Sequence, residues 1–106
     1  MKDDLNKDPK KDKPIEKKFV ISNKLGLHAR PAALFVQTAN RFVSDIEVRK
    51  GRQKVNGKSI MGIMTLAAGK GAAITVMTSG QDAKAAMDEL SRLFESNFGE
   101  SGEGST

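Results

Sequence analysis

Three stretches of this chain are apolar along one side only, and that one-sidedness constrains its fold more than any other feature. From Ala29 onward, Ala32, Phe35, Val36 and Ala39 recur at helical spacing. Between Asp82 and Phe94, the residues Ala83, Ala86, Met87, Leu90, Leu93 and Phe94 share one face. A shorter helix is predicted from Ile60 to about Leu66, with Ser59 as its N-cap. A helix of this kind needs a second layer against which to bury its apolar side. Four short β-prone runs supply it, at 18–22, 45–49, 53–56 and 73–78. Gly51 and the Gly69-Lys70-Gly71 break separate the later ones. The predicted order is β-α-β-β-α-β-α. Short connections favour antiparallel neighbours. The expected fold class is therefore α+β, an open-faced sandwich with a four-stranded, mainly antiparallel sheet covered on one side by three helices.

A length of 106 residues suits one domain with a modest core. Residues 1–17 are dominated by Lys and Asp and hold Pro9 and Pro14, so a disordered charged arm is predicted there. The Gly-, Ser- and Glu-rich end predicts a flexible tail over 98–106. The folded unit is then expected at 18–97. Of the net charge of +5, residues 1–18 contribute +2, from seven lysines and five acids. The remaining +3 is too weak a signal for a nucleic-acid binder. Trp and Tyr are both absent, which also removes a base-stacking set. The absence of cysteine excludes disulfides, thiolate metal sites and cysteine nucleophiles. No apolar run is long enough to span a bilayer. The charged N-terminus does not read as a signal peptide. A cytoplasmic protein with no membrane contact is expected.

His28 is the only histidine, and it lies within Gly26-Leu27-His28-Ala29-Arg30-Pro31-Ala32-Ala33. Pro31 fits a helix only in its first turn, which puts His28 at the helix start. Unpaired amides and the positive end of the helix dipole make that place an anion site. A neutral imidazole has one ring nitrogen free to attack phosphorus. The neighbouring dipoles disfavour a cationic ring, and Arg30 can bind phosphoryl oxygens afterwards. A lone histidine with no context would be read as an ordinary exposed cap; the Gly, Arg and Pro around this one are what set it apart. A single histidine without clustered carboxylates predicts no metal. No serine elbow is present for a triad. A phosphatase or mutase would need a leaving-group acid that His28 and Arg30 do not supply. There is no P-loop, and no cofactor is expected.

The stretch from Asn23 to Ala33 resembles the active-site signature of the HPr family, the histidine-containing phosphocarriers of the bacterial phosphoenolpyruvate-dependent sugar phosphotransferase system. A second block, Gly57-Lys58-Ser59-Ile60-Met61-Gly62-Ile63-Met64-Thr65-Leu66, resembles the family's regulatory serine segment. The similarity runs from about residue 18 to 95. It implies that His28 accepts phosphate on Nδ1 from Enzyme I and passes it to IIA domains of sugar permeases, with Arg30 steadying it. It also implies Ser59 as the target of a dedicated HPr kinase/phosphorylase, and a transcriptional regulator as a further partner. Such a protein is a covalent carrier and not an enzyme. A paralogue of the nitrogen-related branch is the alternative. One departure is Leu25, where many relatives carry asparagine; Asn23 is the nearest asparagine here.

A carrier must dock with donor and acceptors in turn. Ile63 is expected to face the core, while Ile60 and Met61 stay partly exposed beside His28. Exposed methionine adapts to several partners, which brings in Met64 as well. Leu34 falls off the buried stripe one turn after Arg30, and Gln37 continues that face. Ala29 and Pro31 complete the expected surface. A phosphate on Ser59 would meet a helix N-terminus, which tolerates it, and would add charge near this surface. The expected acting unit is a monomer.

Overall fold

A computed structural model describes residues 13–100. Its strands are β1 (Ile15–Val20), β2 (Asp45–Lys50), β3 (Gln53–Asn56) and β4 (Ala73–Ser79). Its helices are α1 (Ala29–Ala39), α2 (Ile60–Thr65) and α3 (Ala83–Glu95), followed by a 3-10 turn at Asn97–Gly99. The sheet order is β1-β4-β2-β3, and every neighbouring pair is antiparallel. This is the expected open-faced sandwich.

Alternation along the strands divides the sheet. Ile46, Val48, Ile74, Val76 and Thr78 point to the helical side and are buried. Phe35, Ile63 and Leu90, one from each helix, meet them with no exposed surface. The opposite face is polar. There Arg49 reaches across β4 to Glu16 at 2.8 Å, a partly exposed pair worth at most about 1 kcal/mol.

Both predicted boundaries of the folded unit move outward. β1 begins at Ile15, so residues 15–17, expected in the arm, belong to the sheet. Lys17 disguised this strand, because a lysine stands on the side that packs under α3. Its ammonium lies 3.3 Å from the Ser91 hydroxyl and above the Phe19 ring, so its stem packs while its charge stays solvated. At the other end Phe98 is buried and stands edge-on to Phe94, with centroids 5.0 Å apart. Residues 98–100 are therefore folded, although the composition predicted a tail. The remainder of the expected arm (1–12) and tail (101–106) lies outside the described residues.

Asp82 ties the start of α3 to the start of β2. Its carboxylate accepts the amides of Val43 (3.0 Å) and Ser44 (2.9 Å) and the Ser44 hydroxyl. The Ser44 hydroxyl is the largest cause that holds its pKa below the usual aspartate value; desolvation opposes it, and the Val43 and Ser44 amides add to the lowering. The folded protein thus binds that proton less readily than the unfolded chain does. The carboxylate stabilises the fold above the ordinary carboxylate range, and the contribution is lost as pH falls through the lowered value. Asp82→Ala should accordingly be less stable than the parent at neutral pH, and the gap should close in acid. Urea midpoints measured across that range check this; a gap independent of pH would refute it.

Candidate functional site

His28 is the N-cap of α1. Its backbone is extended (φ −78°, ψ −171°), and its carbonyl accepts the Ala32 amide at 2.9 Å. Its side chain makes no capping bond, and no acidic residue occupies the first turn. The amides of Ala29 and Arg30 therefore have no intrahelical acceptor, and Pro31, next in line, carries no N–H. Among the described residues these two donors have no acceptor, and they lie with the positive helix end beside the ring.

The approach to this point is fixed by a loop fastened to the segment after α2. The Leu27 amide donates to Ala68 O (2.9 Å), the Ile21 amide to Ala72 O (2.9 Å) and the Gly71 amide to Ile21 O (2.8 Å). Ala67 takes a left-handed conformation (φ 49°), turning the chain so that Ala68 can receive Leu27. Gly26 has φ +70°, and a Cβ there would lie 2.3 Å from Ala68 O. Only glycine satisfies both the angle and the close approach.

The ring itself is one-third exposed. Its Nε2 lies 3.2 Å from Oε2 of Glu100. The other oxygen of Glu100 accepts from Asn23 Nδ2 at 3.0 Å, and the same amide nitrogen donates to Gly26 O at 2.8 Å. Asn23 is buried. Among the described residues, Nδ1 has no hydrogen-bond partner. Arg30 is exposed and pairs with no carboxylate among those residues. The arrangement offers a ring nitrogen for attack and uncommitted cationic and N–H groups for a bound anion.

Ser59 caps α2 as expected, its Oγ accepting the Gly62 amide at 3.0 Å. Ile60, Met61 and Met64 are 39%, 70% and 42% exposed, while Ile63 is sealed in the core. Met64, together with Leu25 and Leu27, lines a shallow depression that includes His28. Ile60 and Met61 are exposed but do not line it. Ala29 and Gln37 are exposed. Two expected docking residues stand differently. Pro31 is buried, so it shapes the first turn and offers little surface. Leu34 is only half-exposed and packs against the core, because the apolar stripe of α1 is wider than its strict periodicity.

Sequence reasoning missed Glu100, which it placed in a tail, and the buried role of Asn23. Phe98 was the available signal. It stands four residues after Phe94 and extends the apolar stripe of α3, which anchors the chain next to Glu100.

Comparison with known proteins places the chain in a family. A family profile described as "PTS HPr component phosphorylation site" matches residues 15–96. The HPr-like protein Crh of Halalkalibacterium halodurans is 53% identical over 76% of this chain and 96% of its own length. The phosphocarrier protein HPr of Xylella fastidiosa is 46% identical over 81% of this chain and 97% of its own. The crystal structure of HPr from Thermoanaerobacter tengcongensis superposes with a TM-score of 0.79 at 52% identity, covering 81% of this chain and 97% of that one. A structure of Crh from Bacillus subtilis (TM-score 0.63, 44% identity, 78% and 95% covered) is a swapped-domain dimer. Among the described residues no helix is long and apolar enough to cross a membrane. The chain belongs to the HPr family of the phosphotransferase system, phosphocarriers that bear a phosphoryl group and do not catalyse a reaction of their own.

Proposed function

We propose that His28 is the phosphoryl acceptor. It takes the group from Enzyme I, charged by phosphoenolpyruvate, and delivers it to IIA domains of sugar permeases. The reading rests on one observation: a one-third-exposed imidazole whose Nδ1 has no hydrogen-bond partner among the described residues sits at a helix start whose first amides are uncapped among those residues. The Nδ1 lone pair forms the N–P bond as the bond from phosphorus to the donor breaks, and that electron pair leaves with the donor. The amides of Ala29 and Arg30 and the Arg30 guanidinium then receive the phosphoryl oxygens. Delivery runs the same steps in reverse onto the acceptor. The phosphoramidate is already activated, so the carrier needs no metal or nucleotide of its own.

His28→Ala should keep the fold and lose all acid-labile phosphate after incubation with phosphoenolpyruvate and Enzyme I. Mass spectrometry reads the result, and a labelled variant would refute the assignment. Arg30→Ala should still accept phosphate but about tenfold more slowly, since a hydrogen bond to a charged group contributes about 1.5 kcal/mol or more. An unchanged rate would leave the backbone amides as the only phosphoryl contacts.

Ser59 is proposed as a regulatory site for a protein kinase of the HPr kinase/phosphorylase type. Its phosphoester would remain at the N-terminus of α2, where the local dipole tolerates it. The new charge would lie beside exposed Ile60 and Met61 and obstruct docking. Likeness to Crh supports a second, regulatory reading, in which the phosphorylated chain contacts a transcriptional regulator in carbon control. Transfer from Enzyme I should be slower to the phospho-Ser59 protein than to the unmodified one; equal rates would refute regulation at this site. Incubation with a panel of IIA domains separates sugar carriers from the nitrogen-related branch. The acting unit is taken to be a cytoplasmic monomer. β1 is an edge strand, and its Glu16, Lys17 and Lys18 oppose pairing with a second copy. A dimer by light scattering would instead align the chain with the swapped Crh form.

A further inference from the structure

We infer that Asn23 and Glu100 are a positioning pair that sets the proton of the His28 ring. An ionised carboxylate only accepts hydrogen bonds. With Oε2 of Glu100 at 3.2 Å, a neutral ring makes this bond only by carrying its proton on Nε2, which leaves the lone pair on Nδ1. Asn23 fixes the carboxylate in turn. Both acceptors of its Nδ2, Gly26 O and Glu100 Oε1, lack protons to give. The amide therefore has one workable orientation, and both its donors are used. With Asn23 only 1% exposed, leaving either donor unpaired would be costly.

The strap that carries Glu100 is held against the body of the protein. Asn97, Phe98 and Gly99 all have positive φ (57°, 56° and 75°). Phe98 among these is a bulky residue for which the left-handed conformation is unfavourable. Such a turn persists only if its contacts outweigh that cost. Phe98 supplies them by packing into the core, and Asn97 Oδ1 accepts the Ser22 hydroxyl at 3.0 Å. The carboxylate is thus delivered by a strained but anchored turn.

The bond serves both states of the carrier. Attack through Nδ1 with the proton kept on Nε2 leaves the phosphorylated ring as an imidazolium, so the ring need not turn or exchange partners. Its positive charge makes that N–H a stronger donor to the Glu100 carboxylate, so the contact holds the ring while the oxygens settle on the amides of α1.

The inference deepens the assignment of His28 as acceptor, yet its first measurement needs no transfer. In the unphosphorylated full chain, at alkaline pH where the ring is neutral, 15N–1H NMR should show the proton on Nε2 with slow exchange. Glu100→Ala should lose that slowly exchanging signal, and Asn23→Ala should weaken it. Glu100→Gln should keep part of it, because one carbonyl oxygen cannot serve both the ring and Asn23. In transfer from Enzyme I, Glu100→Ala should lower kcat roughly tenfold with KM little changed, within the 10²-fold that a misplacement of about 1 Å can cost. A ring proton on Nδ1 in the parent, an unchanged ring signal in Glu100→Ala, or a lost signal with unchanged kcat would each overturn the inference. Those results would leave His28 as acceptor untouched, whereas phosphate on His28→Ala would overturn the acceptor assignment and leave the NMR result standing.

Discussion

The three hydrogen bonds that fasten residues 21–27 to residues 68–72 decide where α1 starts, and everything functional follows from that start. A helix terminus is a useful anion site only if its amides stand free and the reactive side chain arrives from the correct direction. Here the direction is set by Leu27 bonding to Ala68 and by Gly26 pressed against the same carbonyl. The energetic support comes from burial: Leu27 is sealed in the core, so the loop cannot lift without exposing it. The site is therefore an extension of the core, one residue beyond its edge.

Much of this was legible in the sequence, for physical reasons. Helical periodicity located α1 and α3 because each has one apolar side, and Ser59 and Pro31 marked helix starts by chemistry specific to those positions. Antiparallel pairing followed from short connections, but the strand order, with β4 inserted between β1 and β2, depends on contacts distant in sequence. The failures share a cause as well. Lys17 and Phe98 each sit in a polar neighbourhood and pack through contacts distant in sequence. Lys17 meets Ser91 across 74 residues, and the Glu100 carboxylate meets His28 across 72. Composition reports the neighbours along the chain, and those neighbours were charged or small. Leu34 was misjudged in the opposite sense, because a helix lying on a sheet buries a broader strip than one periodic row suggests.

The groups around His28 are suited to a carrier more than to a catalyst. With His28 as the proposed acceptor, none of them needs to gain or lose a proton as the phosphoryl group arrives and leaves. The amides of Ala29 and Arg30 and the guanidinium are permanent donors, and the Nε2 proton stays in place. A site built this way stabilises the loaded form without committing to a direction, so the partners determine which way phosphate flows. The uncommitted Arg30 fits this picture, since a guanidinium locked in an internal ion pair would have to be freed at each transfer.

Two requirements pull against each other at the ring, and the structure divides them between different parts of the residue's surroundings. A partner's reacting atom must reach Nδ1, so the ring has to remain exposed. The attack also needs a defined ring orientation, which exposure alone would not give. Order is supplied from behind, by buried Asn23 acting through Glu100 and by a glycine that no other residue can replace. Access is left at the front, where Leu25 and Met64 form a shallow apolar rim with side chains that different partners can deform. Adaptability at the rim is then harmless, because the geometry of the reacting nitrogen does not depend on it. On the proposed reading, different partners can press on Leu25 and Met64 while the imidazole they address keeps one orientation and one nitrogen free for attack.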